Sequence, residues 1–284
     1  MAKPLNNLEK YIAEDIRKYR GISYPVGTGL LRRLLVKQAK VGKIHPNPRD
    51  EFSQPEVGPN MSIINQYVQQ LTKTRYDLVK YRFDEPLLVQ RMKPDGYMLL
   101  NGHHRWAAAV HLKVNTVPIR IVNLTQGKDV DRMLKSSGNS KRVSLDLDEV
   151  VFNRPAEETV MRHDQLRRGV PALFHFLKEC HYDIWLYSAK YDSMDDVRRF
   201  FRRYRIRIDG IVTGQVQGRP GIEEVRERLD TLMTEKYTKT VHIDGTGVLC
   251  IDRQAKKFAD YTLSGREDTW SEEIMDVMTA YEKQ

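Results

Sequence analysis

The chain has 284 residues, more than one typical domain holds, and two cores of about 120 to 145 residues each accommodate it. Its 47 lysines and arginines against 38 aspartates and glutamates leave a net charge of +9, which favours polyanionic partners without specifying one. Two cysteines exclude a disulfide or cysteine-metal framework, and the absence of repeats, low-complexity tracts and apolar runs of membrane-spanning length excludes solenoid and membrane-spanning classes.

The start, Met1-Ala2-Lys3-Pro4, leads into an amphipathic segment with Leu8, Tyr11, Ile12 and Ile16 at helical spacing. It lacks the continuous apolar core of a signal peptide, so a cytoplasmic protein with no membrane partner is expected. From Val41 the chain reads Val41-Gly42-Lys43-Ile44-His45-Pro46-Asn47-Pro48, then a polar turn and a helix-like run around Ile63 to Leu71. An apolar run, Pro86 to Gln90, precedes Tyr97-Met98-Leu99-Leu100-Asn101-Gly102-His103-His104-Arg105-Trp106, and Val117 to Val122 reads as a closing strand. Gly102 allows close backbone approach, the helix N-terminus attracts anions, and Arg105 has the paired N–H donors that clamp phosphate. The alternative for His103 and His104 is a helix-start pair with one ring packed and one solvated. Trp106 to Ala109 read as helix core.

Residues 38 to 122 resemble the ParB/sulfiredoxin superfamily, with Asn101 to Arg105 as the carrying motif. The resemblance implies an α+β domain that binds a nucleotide, ATP, ADP or CTP, through Asn101, Gly102, His103, His104 and Arg105. Members use the loop for CTP-dependent DNA partitioning, ATP-dependent sulfinic acid reduction, or ADP-dependent phosphorylation of free serine. The His-His-Arg form is similar to the small-molecule kinase branch, whose loop reads DGHHR; here Asn101 replaces the Asp. The branch's upstream glutamate has two candidates, Glu56 and Glu51. The sulfinic-reductase branch needs a loop cysteine, which is absent.

Lys135-Ser136-Ser137-Gly138-Asn139-Ser140 is the expected linker, dividing the chain into residues 1–136 and 137–284. Beyond it, Arg142-Val143-Ser144-Leu145-Asp146-Leu147-Asp148 is an apolar strand ending in two aspartates one residue apart. Strand alternation points both to one side, so one carboxylate can attack while the other handles a proton; a solvated turn or helix cap is the plainer reading. Val170 to Lys178 carries Leu173, Phe174, Phe176 and Leu177 near helical spacing, and Ser193 precedes a helix from Met194 to Tyr204. Between them Tyr182 to Tyr187 reads as a strand followed by Ser188. A last apolar run, Thr240 to Ile243, ends in Asp244. Strand, helix, strand, helix, strand, helix, strand is the order of a doubly wound parallel sheet, whose ligands collect at the strands' carboxyl ends. Cys180 and Cys250 border or enter apolar runs as small hydrophobes, fitting a reducing compartment.

This half resembles the haloacid dehalogenase (HAD) superfamily, whose first motif reads hhhhDxDx(T/V)(L/V). The resemblance implies Asp146 as nucleophile, Asp148 as general acid/base, and Ser188 as a hydrogen-bond donor to the phosphoryl group. It also implies Mg2+ between the Asp146 carboxylate, the Asp148 main-chain carbonyl and Asp244, with Asp252 as runner-up to Asp244. Glu149 stands where phosphatases of the family often carry Gly. The basic residue of the third motif is Lys236, with Arg219, Arg228 and Lys239 as competitors. Only Asn153 to Arg168 has room for a small cover, so an open site accepting a bulky phosphorylated substrate is expected.

The expectation is thus a Mg2+-dependent HAD-type phosphatase joined to a ParB/sulfiredoxin-like nucleotide-binding domain, itself a candidate kinase for a small hydroxyl metabolite. The substrate is a phosphorylated nucleic-acid end, protein side chain or metabolite. Arg198, Arg199, Arg202, Arg203, Arg205 and Arg207, around Phe200, Phe201 and Tyr204, form the densest basic cluster. They suit a nucleic-acid backbone or, equally, a solvated helix face. The competing classes are a partition-type DNA-binding regulator with a silent HAD fold, and an adaptor without chemistry.

Overall fold

The computed structural model of the chain describes residues 6–19, 23–48, 50–54, 56–74, 85–152, 166–214 and 232–283. It divides into two compact units, Met1–Asn123 and Leu124–Gln284, each with its own core. None of the described helices is long and apolar enough to cross a membrane.

The first unit is a mixed α/β fold. In chain order it runs α1 (Asn6–Tyr19), β1 (Tyr24–Pro25), α2 (Leu30–Leu34), β2 (Lys37–Lys40), β3 (Ile44–Pro46), α3 (Met61–Thr74), β4 (Leu87–Lys93), β5 (Tyr97–Asn101), α4 (His103–His111) and β6 (Thr116–Ile121). The sheet order is β2-β6-β4-β5-β3, with β1 beside the Met92–Lys93 end of β4. Leu8 and Ile12, four apart on α1, and Ile64 and Leu71, seven apart on α3, turn one face of each helix into the core. There they meet Leu87, Val89, Leu99 and Ile119 of the strands and the Trp106–Ala109 segment of α4, which is wholly buried as expected.

The second unit begins with α5 (Gly127–Lys135), ahead of the expected linker. The polar stretch at 135–140 ends α5 and leads into β7 (Lys141–Asp146) within the same unit, because Val130, Met133 and Leu134 of α5 pack on Trp185, Val212 and Tyr237. A π-helical turn (Leu147–Val151) follows, then α6 (Val170–Glu179), β8 (Tyr182–Ser188), α7 (Met194–Arg203), β9 (Gly210–Thr213), β10 (Lys239–Ile243), β11 (Gly247–Asp252), β12 (Lys257–Thr262) and α8 (Trp270–Glu282). The sheet order is β12-β11-β10-β7-β8-β9. The inner run β10, β7, β8, β9 is parallel as expected, but β11 and β12 add antiparallel to β10, so the sheet is mixed.

Alternation along β8 explains the layering. Tyr182, Ile184 and Leu186 face the core of α6, α7 and α8, while Trp185 faces α5 and Tyr237. From β7 the chain steps outward through β8 to β9 and then returns to β10 on the far side of β7. The carboxyl ends of β7 and β10 therefore flank a topological switch point, where a sheet of this kind opens a crevice for a ligand.

Candidate functional site

Asp146 is the last residue of β7, and Asp244 directly follows Ile243, the end of β10. Ile243 pairs with Leu145, so the two aspartates come next in register on neighbouring parallel strands. One Asp146 oxygen, Oδ1, accepts the main-chain N–H groups of Asp148 at 2.8 Å and Glu149 at 2.7 Å. This is a cap on the π-helical turn and fixes the carboxylate's direction. Oδ1 of Asp244 accepts the Thr246 and Gly247 amides at 2.8 and 2.9 Å and the Thr246 hydroxyl at 2.7 Å. Among the described residues no hydrogen bond reaches the second oxygen of either carboxylate.

The two acids are tuned in opposite directions. Burial raises the Asp146 pKa, and the nearby Asp148 and Glu149 charges add to the rise against the Glu149 and Asp148 amides. Burial also pushes Asp244 upward, but the Thr246 hydroxyl and the Thr246 and Gly247 amides outweigh it, leaving the carboxyl below its ordinary value. Glu149 enters this group in a way its sequence position did not reveal. Its Oε2 accepts the Gly245 N–H at 3.2 Å, tying the π-helical turn after β7 to the loop after β10.

Asp148 is buried, and its Oδ2 accepts the Ser188 hydroxyl at 2.8 Å. Ser188, also buried at the end of β8, accepts the Lys190 amide at 3.0 Å. Its hydroxyl proton goes to Asp148, so Ser188 orients that carboxylate. Lys236 is not part of this group. Its ammonium donates to the Leu134 carbonyl and, at 2.8 Å, to the Ser137 carbonyl at the end of α5. Lys cations satisfy helix-end carbonyls in this way. Lys239 and Asp252 pair with each other at 3.5 Å where β10 starts and β11 ends, the edge opposite Asp146. Asp252 is therefore no substitute for Asp244. Arg219, Arg228 and nearly all of the Asn153–Arg168 segment lie outside the described residues.

Among the described residues, no three His, Cys, Asp or Glu side chains gather as a metal cluster. The expected set for Mg2+ contains only two carboxylates, Asp146 and Asp244, with the main-chain carbonyl of Asp148. All are hard oxygen donors on neighbouring segments, and such a cation retains waters in its remaining positions. The donor chemistry fits.

In the first unit, the β5–α4 connection turns at Gly102, with φ 94° and ψ 27°. A β-carbon there would overlap Leu87 and crowd the Arg105 guanidinium, so glycine is required for space as well as conformation. Arg105 donates to the Glu85 carbonyl at 2.7 Å. His104 Nε2 accepts the Asn60 amide at 3.2 Å, while the Asn60 side chain caps the Ser62 and Ile63 amides of α3. The N-termini of α3 and α4, two sources of partial positive charge, thus converge at His104. His103 is the packed ring of the pair. It is buried and lies 5.3 Å from the Phe52 ring. Burial holds its pKa near about 4 against the pull of Asp50, whose Oδ1 is 3.7 Å from Nδ1. Burial also lowers the His104 pKa, again opposed by Asp50. Asp50 is the acid that faces this histidine pair. Glu56 is exposed in the following turn, and Glu51 is exposed one residue beyond Asp50. The available signal for Asp50 was its place as a cap, two residues before Phe52, whose amide it accepts at 3.0 Å.

Residues 35–138 match the family model described as the ParB N-terminal domain. A ParB-like domain is present over these residues. The match runs past Asn123 into α5, which packs with the second unit. No curated protein gives a significant match. Among solved structures, the chain is similar to the truncated chromosome-partitioning protein ParB of Caulobacter crescentus bound to the centromeric parS site, at 20% identity and TM-score 0.23, covering 37% of this chain and 50% of that one. The same protein complexed with CTP-gamma-S matches at 19% identity and TM-score 0.25, covering 51% and 63%. The chain thus spans less than two thirds of these ParB chains. A free serine kinase in complex with AMP matches at 14% identity and TM-score 0.26, covering 80% of this chain and 91% of the kinase.

Proposed function

We propose that residues 124–284 form a HAD-type, Mg2+-dependent phosphohydrolase site. The observation that supports it best is the juxtaposition of Asp146 and Asp244 across the switch point, each anchored through one oxygen with the second oxygen unengaged among the described residues, beside a buried Asp148. Asp146 attacks phosphorus in line, forming a P–O bond as the bond to the leaving oxygen breaks, and protonated Asp148 supplies that oxygen's proton. Asp148 then takes a proton from water as the water oxygen attacks the aspartyl-phosphate, releasing phosphate and restoring Asp146. Ser188 keeps the Asp148 carboxyl in place throughout. Asp146, the Asp148 carbonyl and Asp244 would hold Mg2+, which would supply positive charge to the phosphoryl oxygens.

The test is phosphate release from phosphorylated sugars, amino acids, nucleotides and oligonucleotide ends, with and without Mg2+. Asp146→Asn is expected to fall to background and Asp148→Asn to lose about 10²–10⁴-fold. Full activity in Asp146→Asn would rule the assignment out. DNA binding by the full chain, indifferent to Asp146→Asn and without phosphate release, would instead favour a partition-type regulator with a silent second unit.

For the ParB-like unit we propose a nucleotide-phosphate site, for ATP, ADP or CTP, at the convergence of the α3 and α4 N-termini with Asn101, Gly102, His104 and Arg105. His103 supports the loop from inside the core. Nucleotide-dependent phosphorylation of a small hydroxyl compound, lost in Arg105→Ala, would make the unit a kinase. Nucleotide binding without transfer would make it a regulatory module.

A further inference from the structure

We propose that the second unit binds a nucleic-acid phosphodiester backbone in an arginine-lined groove beside β9, a property independent of the phosphatase reading. The groove has a volume of about 510 Å³ and is lined by Arg132 from α5, Arg198 and Arg202 from α7, and Arg205 and Arg207 from the connection to β9. Its single acid, Asp209, is buried and already engaged: it pairs with Lys178 and accepts the Ile184 amide at 2.8 Å. Arg132 has Asp129 at 3.6 Å, and Arg207 has Asp209 at 3.7 Å. Among the described residues, no carboxylate pairs with Arg198, Arg202 or Arg205.

Two plainer explanations fail to account for this concentration. Solvated helix faces pair both signs of charge, as Arg199 does with Asp196 at 2.7 Å on the same helix, whereas among the described residues Arg198 and Arg202 of α7 form no ion pair. Arginines also guard the exposed edge of a sheet. The β9 edge is already covered: the Thr125 hydroxyl donates to the Ile211 carbonyl at 2.9 Å and accepts the Thr213 amide at 3.2 Å, and Met133 Sδ accepts the Ile211 amide at 3.4 Å. Arg198, Arg202 and Arg205, grouped beside the ion-paired Arg132 and Arg207, repel one another, and a polyanion laid along them relieves that repulsion.

The test is fluorescence anisotropy of the full chain with a labelled mixed-sequence single-stranded oligonucleotide, in EDTA to silence hydrolysis. Arg198→Ala/Arg202→Ala/Arg205→Ala is expected to weaken binding at least about tenfold and to reduce the slope of log affinity against log salt by about 2. A control removing three exposed cations elsewhere, Lys256→Gln/Arg266→Gln/Lys283→Gln, is expected to bind nearly as the wild type does. Should the triple variant fail to fold, Arg202→Glu, at an exposed position, carries the same test with a several-fold loss. The proposal is overturned if the wild type binds no oligonucleotide, if the triple variant loses no more than the control, or if phosphatidylserine vesicles bind through these arginines and oligonucleotides do not.

Discussion

The Asp146 carboxylate is held by two opposing sets of forces. Burial, with the charges of Asp148 and Glu149, raises its pKa, and the Glu149 and Asp148 amides restrain the rise without cancelling it. Just above the ordinary carboxylate range the folded chain therefore keeps a proton that the unfolded chain has released, so this group subtracts stability as pH rises through that window. Asp146→Asn keeps an oxygen for the capping amides and removes the charge, and its melting temperature at pH 7 without metal is expected to exceed that of the wild type by a few degrees. Added Mg2+ should raise the wild-type value and leave the variant unmoved; equal shifts in both would place the cation elsewhere. His103 works with the opposite sign. Its folded pKa of about 4 lies below the ordinary 6.5, so the unfolded chain takes up the proton first and stability is lost as pH falls from 6.5 to 4. The expected loss is about 3 kcal/mol, read by denaturant unfolding across that range, and His103→Gln should flatten the profile. An unflattened profile would mean that His103 titrates normally.

At the scale of elements, β8 and β9 show how a strand pair makes room for its own core. Trp185 pairs with Gly210, and a β-carbon on Gly210 would overlap the indole ring. The indole N–H donates to the Tyr237 hydroxyl at 3.0 Å, and that hydroxyl donates to the buried Asp183 at 2.8 Å. Gly210→Ala is expected to cost about 3 kcal/mol by displacing the ring and this chain of bonds, visible as a drop of roughly 6–12 °C in the melting temperature of the second unit. An unchanged melting temperature would contradict the packing. The strands β7, β8 and β10 were legible because buried parallel strands read as short apolar runs. The β11–β12 hairpin was not, since β12 exposes Lys257 and Phe258 and carries Asp260, with no apolar run to mark it. Likewise, Asp146 and Asp148 were marked by spacing on one strand. Glu149, Asp50 and the bond from Ser188 to Asp148 depend on residues distant in the chain, and no local pattern encodes them.

At the scale of the whole molecule, each candidate ligand site lies within one compact unit, so ligand stabilisation should be unit-specific. Calorimetry of the full chain is expected to resolve a transition raised by nucleotide and lost in Arg105→Ala, and another raised by Mg2+ and lost in Asp146→Asn. A single transition that moves with both ligands would show that the units unfold together. Only the fold brings Arg132 together with arginines some 70 residues later in one groove. The sequence by itself determined the two-part α/β plan, the ParB-like loop and the aspartate pair, because strand alternation, glycine at a forced turn and apolar runs are local consequences of chain chemistry. Only the tertiary structure decided that α5 joins the second unit, that Lys236 closes α5 instead of joining Asp146, and that His103 is a core residue. Those outcomes depend on which distant surfaces bury one another, and burial sets both the partner of a side chain and the charge it can carry.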